Sequence, residues 1–112
     1  MYKRPDNINS PIQIVDHLNF LKNSYELFAR YKPEDIIGFL RGFNHSCSIL
    51  GFELIGNRGL VLSTYNDTLI ERGWNKDEPL LPQLNNSSLT EKEAVREIFD
   101  IFIEIWKRVY RI

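Results

Sequence analysis

The segment from Thr90 to Tyr110 constrains the fold of this chain more than any other stretch. Its apolar residues recur with the 3.6-residue period of an α-helix, at positions 95, 98, 99, 102, 105, 106, 109 and 110. Thr90 and Glu93 have the spacing of a capping box, in which each side chain accepts a hydrogen bond from a backbone amide at the helix start. We therefore predict a long amphipathic helix. Because Ile101 and Ile103 fall off the main apolar stripe, we expect this helix to be packed on more than one side.

Two further helices are predicted upstream. The first begins at Ser10-Pro11, a capping serine followed by a proline suited to the first helical position, and runs to about residue 31. The second begins at Pro33 and follows an apolar stripe as far as Leu54. Gly38 and Gly42 lie one turn apart in it, and their missing side chains predict a close approach of another helix.

Residues 52–73 fit two interpretations. The apolar spacing from Leu60 to Ile70 predicts a short third helix that ends at Gly73, whereas 52–55 and 60–64 also fit a β-hairpin. We favour the helix, because the preceding stripe keeps its period through Leu54. Two prolines predict an irregular loop over 75–82. The fold class predicted for the single domain 1–112 is thus all-α, a small bundle of three to four helices, with a short β-hairpin near residues 52–64 as the alternative.

Charge and composition narrow the classes of partner. The 112 residues carry 14 bases and 15 acids, a net charge of −1, which argues against direct nucleic-acid binding because phosphate contacts need a basic excess. Residues 33–90 hold four bases and seven acids, so a basic partner is expected. A single cysteine and the lack of any long apolar run predict a cytoplasmic protein that does not insert into membranes.

The sequence offers little chemistry for catalysis. Cys47 and His45 are the only neighbouring reactive side chains, and a structural zinc site needs four ligands. Cys47 lies on the apolar stripe of the second helix and is interpreted as a core residue, while His17 is expected at the surface. Gly56-Asn57-Arg58-Gly59 lacks the ending of a phosphate-binding loop. We predict no enzymatic activity, no metal and no cofactor.

A tryptophan in an acidic loop is the most suggestive feature of the middle segment. Trp74 stands between Gly73 and Asn75, and a tryptophan in irregular sequence either anchors an interface or closes the bottom of a small core. Carboxylates cluster around it in the sequence. The residues predicted to bind a partner are Asp67, Glu71, Trp74, Asp77 and Glu78.

The format of the chain resembles that of the immunity proteins encoded beside bacterial polymorphic toxins, including those of contact-dependent growth inhibition systems. The shared features are small size, the absence of catalytic motifs, few cysteines, many Asn (10) and Ile (13) residues, and an acidic middle segment. The resemblance implies a tight one-to-one complex with one cognate toxin domain, a nuclease being one candidate, whose basic active site is blocked by an acidic face. The alternative is a small helical nucleic-acid-binding protein or regulatory adaptor.

Overall fold

The computed structural model describes residues 11–24, 32–49 and 58–111. Within these ranges the chain is helical and contains no strand. The predicted all-α class is therefore confirmed for the described residues, which form five helices where three to four were predicted. The helices are α1 (Pro11–Asn23), α2 (Pro33–Ile49), α3 (Arg58–Glu71), α4 (Leu80–Asn85) and α5 (Glu91–Tyr110).

The first two helices start where the sequence predicts. Pro11 and Pro33 each occupy the first helical position, where the missing amide hydrogen costs no hydrogen bond. The described part of α1 ends at Asn23, and the predicted extension to residue 31 falls on 25–31, outside the described residues. The predicted extension of α2 to Leu54, and the Ser10 cap, also lie outside them.

Helix α3 decides between the two interpretations of residues 52–73 for the part that is described. Residues 60–64, the second strand of the alternative hairpin, are helical, whereas the first strand, 52–55, lies outside the described residues. The helix ends at Glu71, and Gly73, where the sequence predicted the stop, has a positive φ of 85°. The amide of Gly73 donates to the Ile70 carbonyl at 3.0 Å and that of Trp74 to the Leu69 carbonyl at 2.8 Å. This pair of bonds is a Schellman motif, which satisfies the last carbonyls of the helix.

The short helix α4 corrects the prediction of an irregular loop over 75–82. Only 74–79 are irregular, because α4 begins at Leu80. Pro79 is its N-cap, and Pro82 lies in its first turn. Amides in the first turn of a helix have no acceptor inside the helix, so proline removes no hydrogen bond there. Two prolines thus exclude a helix interior but not a helix start.

Helix α5 is the centre of the molecule. It packs against α1, α2 and α3, and it contributes the largest buried side chains, Trp106 and Phe99. Ile101 and Ile103 are also buried, which confirms that α5 is covered on more than one side. None of the helices in the described ranges is long and apolar enough to cross a membrane.

Candidate partner-binding surface

Trp74 joins the α3–α4 loop to α5. Its ring is half-buried against the core, and its Nε1 donates a hydrogen bond of 2.7 Å to Glu97 Oε2. The Schellman motif places it there, since the chain turns back at Gly73. Trp74 is therefore fixed within the fold and offers a partner only the edge that remains accessible.

Glu97 also holds the end of α3. Arg72 Nε donates to Glu97 Oε2 at 3.0 Å, and Arg72 Nη2 lies 3.4 Å from Asp100 Oδ2. Asp100 in turn pairs with Lys22 of α1. Burial by itself would raise the pKa of Glu97, but the hydrogen bonds from Arg72 and Trp74, together with nearby positive charge, more than offset burial and lower it. One connected network of ion pairs and hydrogen bonds thus links α1, the end of α3 and α5 through Lys22, Arg72, Trp74, Glu97 and Asp100.

Glu71 is likewise engaged with α5. It pairs with Arg108, whose Nε also donates to Glu104 Oε1 at 3.0 Å. Three acids of α5, Glu97, Asp100 and Glu104, are thus paired with the bases Arg72, Lys22 and Arg108. Of the five residues predicted to bind a partner, Glu71 and Trp74 are thus partly committed to internal contacts.

The other three predicted residues lie at the surface. Asp67 on α3 is exposed, and so are Asp77 and Glu78 in the α3–α4 loop. Lys76 Nζ lies 3.7 Å from Asp77 Oδ1, but Asp77 is 78% exposed, so water screens this pair strongly. Glu71 is exposed as well, but it pairs with Arg108, so Asp67, Asp77 and Glu78 are the exposed carboxylates of the site that have no ion pair with α5.

One glutamine holds the backbone of the acidic loop. Gln83 Nε2 donates to the carbonyls of Asn75 (2.8 Å), Glu78 (3.0 Å) and Pro79 (3.3 Å). Gln83 Oε1 accepts from the Asn75 amide at 2.8 Å. No sequence pattern predicted this role of Gln83, because its hydrogen-bond partners are backbone groups that lie up to eight residues away in the sequence. The consequence is a loop whose carboxylates are exposed while its main chain is tied down.

A cleft of about 390 Å³ lies beside this loop. Its apolar wall comes from three helices and includes Ile37, Leu80, Leu81 and Phe102. Glu34, Gly38 and Arg41 line it from α2, and Tyr65 lines it from α3. Burial raises the pKa of the Tyr65 phenol, and the charge of Arg41 opposes that rise in part. No sequence pattern predicted this cleft, because it is formed where α2, α3, α4 and α5 meet.

Among the described residues, no helix approaches Gly38 or Gly42 as closely as their spacing predicted. A Cβ built on either glycine meets no atom of the described residues within 4 Å. In the described structure the missing side chain of Gly38 instead leaves the cleft open. For the described part of the chain that prediction is wrong, because the spacing specifies a smooth helix face but not whether a neighbour covers it.

The reactive side chains of α1 and α2 do not form a site. Cys47 is buried in the core, and burial raises the pKa of its thiol, which leaves it less nucleophilic. His17 is exposed and stacks between Phe20 and Phe43, with ring centroids 6.1 and 6.0 Å away. The core interpretation of Cys47 is confirmed. In the ranges that the structure describes, no three His, Cys, Asp or Glu residues are grouped to hold a metal ion.

Comparison with known proteins adds no relative. No family model, no curated protein and no solved structure matches this chain. Function is therefore inferred from the surface of the acidic loop and the neighbouring cleft.

Proposed function

We propose that this chain is a protein-binding inhibitor of the immunity type, which neutralises one cognate toxin domain by covering a basic surface on it. The observation that carries the proposal is the α3–α4 loop, in which exposed carboxylates sit on a backbone that Gln83 holds in place. A binding loop that is already ordered loses less conformational freedom on association, so more of the contact energy appears as affinity.

The charges of the loop favour a basic partner. Asp77 and Glu78 are adjacent and exposed, and Asp67 adds an exposed carboxylate on the preceding helix. Exposed charges at the edge of an interface mainly accelerate association and set its salt dependence. The accessible edge of Trp74 supplies an aromatic contact beside them.

The ion pairs between α5 and its neighbours argue against the alternative of a nucleic-acid-binding protein. Lys22, Arg72 and Arg108 are each paired with a carboxylate. Paired bases contribute less positive potential than a phosphate-binding surface needs. This observation supports a protein partner over a nucleic acid.

The proposal is tested first by identifying the partner and then by measuring its rates of association and dissociation. The tagged protein is recovered from its native cells, and a single stoichiometric protein is identified by mass spectrometry. Association and dissociation rates are then measured for that protein with Asp77→Lys/Glu78→Lys and with Asp16→Lys/Glu91→Lys, which changes the net charge equally on α1 and α5. We expect the loop reversal to slow association at low salt by about tenfold or more, and the control to change it little. Equal rates for both variants would contradict the assignment of this loop, and recovery of salt-sensitive nucleic acid instead of protein would contradict the function.

Gln83→Ala tests the contribution of loop order without changing charge. The variant loses the hydrogen bonds to Asn75, Glu78 and Pro79, so the loop amides should exchange faster with solvent. We expect affinity for the partner to fall by about twofold to tenfold, the cost of ordering the loop on binding. Faster exchange with unchanged affinity would show that loop order does not matter for binding.

A further inference from the structure

The cleft beside the acidic loop is lined by one acidic and one basic side chain. Glu34 and Arg41 both line it from α2, with Gly38 between them. Glu34 and Arg41 are seven residues apart. At a rise of roughly 1.5 Å and a rotation of about 100° per residue, their backbone positions lie about 10 Å apart on nearly the same face of α2. Neither carboxylate nor guanidinium is buried, so both can meet a ligand from solvent.

Between these two charges the cleft is mainly apolar. Ile37 and Phe102 are half-buried, and Leu80 is buried, at the junction of α2, α4 and α5. Gly38 leaves open the space that any larger side chain would fill. A volume of about 390 Å³ falls within the range of sites that bind small ligands or a few side chains. An occupant therefore needs an apolar middle and two charged ends.

We propose that this cleft binds an extended peptide segment that carries a basic and an acidic side chain separated by two mainly apolar residues. In the extended polyproline II conformation, which has three residues per turn and rises roughly 3.1 Å per residue, side chains three positions apart lie on the same side and about 9 Å apart, close to the spacing of the Glu34 and Arg41 backbone positions. The basic side chain pairs with Glu34, the acidic one with Arg41, and the apolar residues cover Phe102 and Leu80. Tyr65 offers a hydroxyl to the peptide backbone from α3.

The inference deepens the proposed function, on which it rests for the source of the peptide. Pro79 lines the cleft, and Glu78 precedes it in the acidic loop, so the cleft and the loop are continuous. A partner that contacts Asp77 and Glu78 can therefore insert a neighbouring segment here. The cleft would supply specificity for sequence, and the loop would supply electrostatic attraction.

The probe is the blocked peptide acetyl-Arg-Leu-Phe-Asp-amide, titrated to millimolar concentration into the isotope-labelled full chain and followed by the NMR shifts of backbone amides. We expect saturable shifts at residues of α2, α3 and α4 that line the cleft. Gly38→Leu should abolish them, because the new side chain occupies the open space without displacing an atom at its Cβ. Gly42→Leu, one turn later on α2 and outside the cleft lining, is the matched control and should bind as the parent does.

The two predicted ion pairs are tested by neutralising one charged side chain of the protein and its predicted partner in the peptide. Glu34→Gln should weaken the peptide about twofold to fivefold, as expected for an exposed ion pair, and should have no further effect on a peptide with Gln in place of Arg. Arg41→Gln should behave in the same way toward a peptide with Asn in place of Asp. The inference would be overturned if the losses from the protein and peptide substitutions were additive for both charge pairs, or if Gly38→Leu bound the peptide as the parent does. It would also be overturned if the shifts mapped outside the cleft, or if a folded parent protein showed no saturable shifts.

The two proposals can fail separately. The titration needs no toxin, so binding of the peptide together with recovery of nucleic acid instead of protein would refute the proposed function and leave the cleft assignment standing. Conversely, loss of association in the loop variant without any peptide binding would refute only the cleft.

Discussion

Glu97 shows how much a single side chain contributes to the cohesion of this molecule. Its carboxylate accepts hydrogen bonds from Arg72, at the end of α3, and from Trp74, in the loop that follows. Asp100, one turn later on α5, extends the same network to Lys22 of α1. One face of α5 thus fixes the ends of two other helices through charge-assisted hydrogen bonds, which are stronger than neutral ones.

Glu97→Gln should make stability less dependent on pH. The pKa of Glu97 lies below its ordinary value in the folded protein, so the ionised form stabilises the fold. That contribution is complete above the pKa of the unfolded chain and is lost as pH falls through the lower pKa of the folded state. We expect urea unfolding to show a deficit for the variant at pH 7 that shrinks toward pH 3. Glu78→Gln, at an exposed loop carboxylate, controls for the loss of one negative charge. A deficit that stays constant with pH would contradict this role.

At the scale of elements, α5 is specified at both ends by its own residues. Thr90 Oγ1 accepts from the Glu93 amide at 3.2 Å, and Glu93 Oε1 accepts from the Thr90 amide at 3.0 Å. At the other end Arg111 adopts a left-handed conformation with φ 56°, and its amide donates to the Arg108 carbonyl. Both caps use residues at most four positions apart, so α5 can begin and end correctly whatever surrounds it.

Thr90→Ala should destabilise the protein by about 1 kcal/mol, the usual cost of losing a side-chain cap at a helix start. The free energy of unfolding from urea denaturation is the measurement. Ser88→Ala is the control, since Ser88 is exposed and precedes the cap by two residues. A loss as large in the control as at Thr90 would show that the change acts through the loop and not through the cap.

At the scale of the whole molecule, the described helices share a hydrophobic core around α5. Buried residues from α1 to α4 join those of α5, and Trp106 Nε1 donates to Asn44 Oδ1 of α2 at 2.9 Å. Because α5 contacts α1, α2 and α3, its loss would leave each of them without its main apolar partner. We therefore expect the chain to unfold as one cooperative unit.

Phe99→Ala should cost about 3 to 5 kcal/mol, since it opens a cavity at a side chain that is 1% exposed. That is a large part of the roughly 5 to 15 kcal/mol by which such domains are stable, so the melting temperature should fall by more than about 10 °C. Circular dichroism and tryptophan fluorescence should report the same midpoint. Leu62→Ala, at a side chain 61% exposed on α3, should shift it little. Separate midpoints would contradict a shared core.

The candidate site could be predicted from the sequence only in part. Asp67, Asp77 and Glu78 are exposed, as charged residues in polar sequence usually are. The sequence also marks Trp74 as unusual, but its hydrogen bond to Glu97 spans 23 residues and could not be read from local spacing. Whether the site binds a toxin, or any protein, stays a prediction.

By itself the sequence determined the helical character of α1, α2, α3 and α5, the start of α2, the end of α3 just before Gly73 and both limits of α5. These features depend on residues up to about four positions apart, whose interactions are the same in any surroundings. Only the tertiary structure decided that Pro82 fits a helix start, that Gly38 opens a cleft, and that Gln83 ties down the acidic loop. Such features depend on which groups the packing of α5 brings together or leaves uncovered, and local spacing does not carry that information.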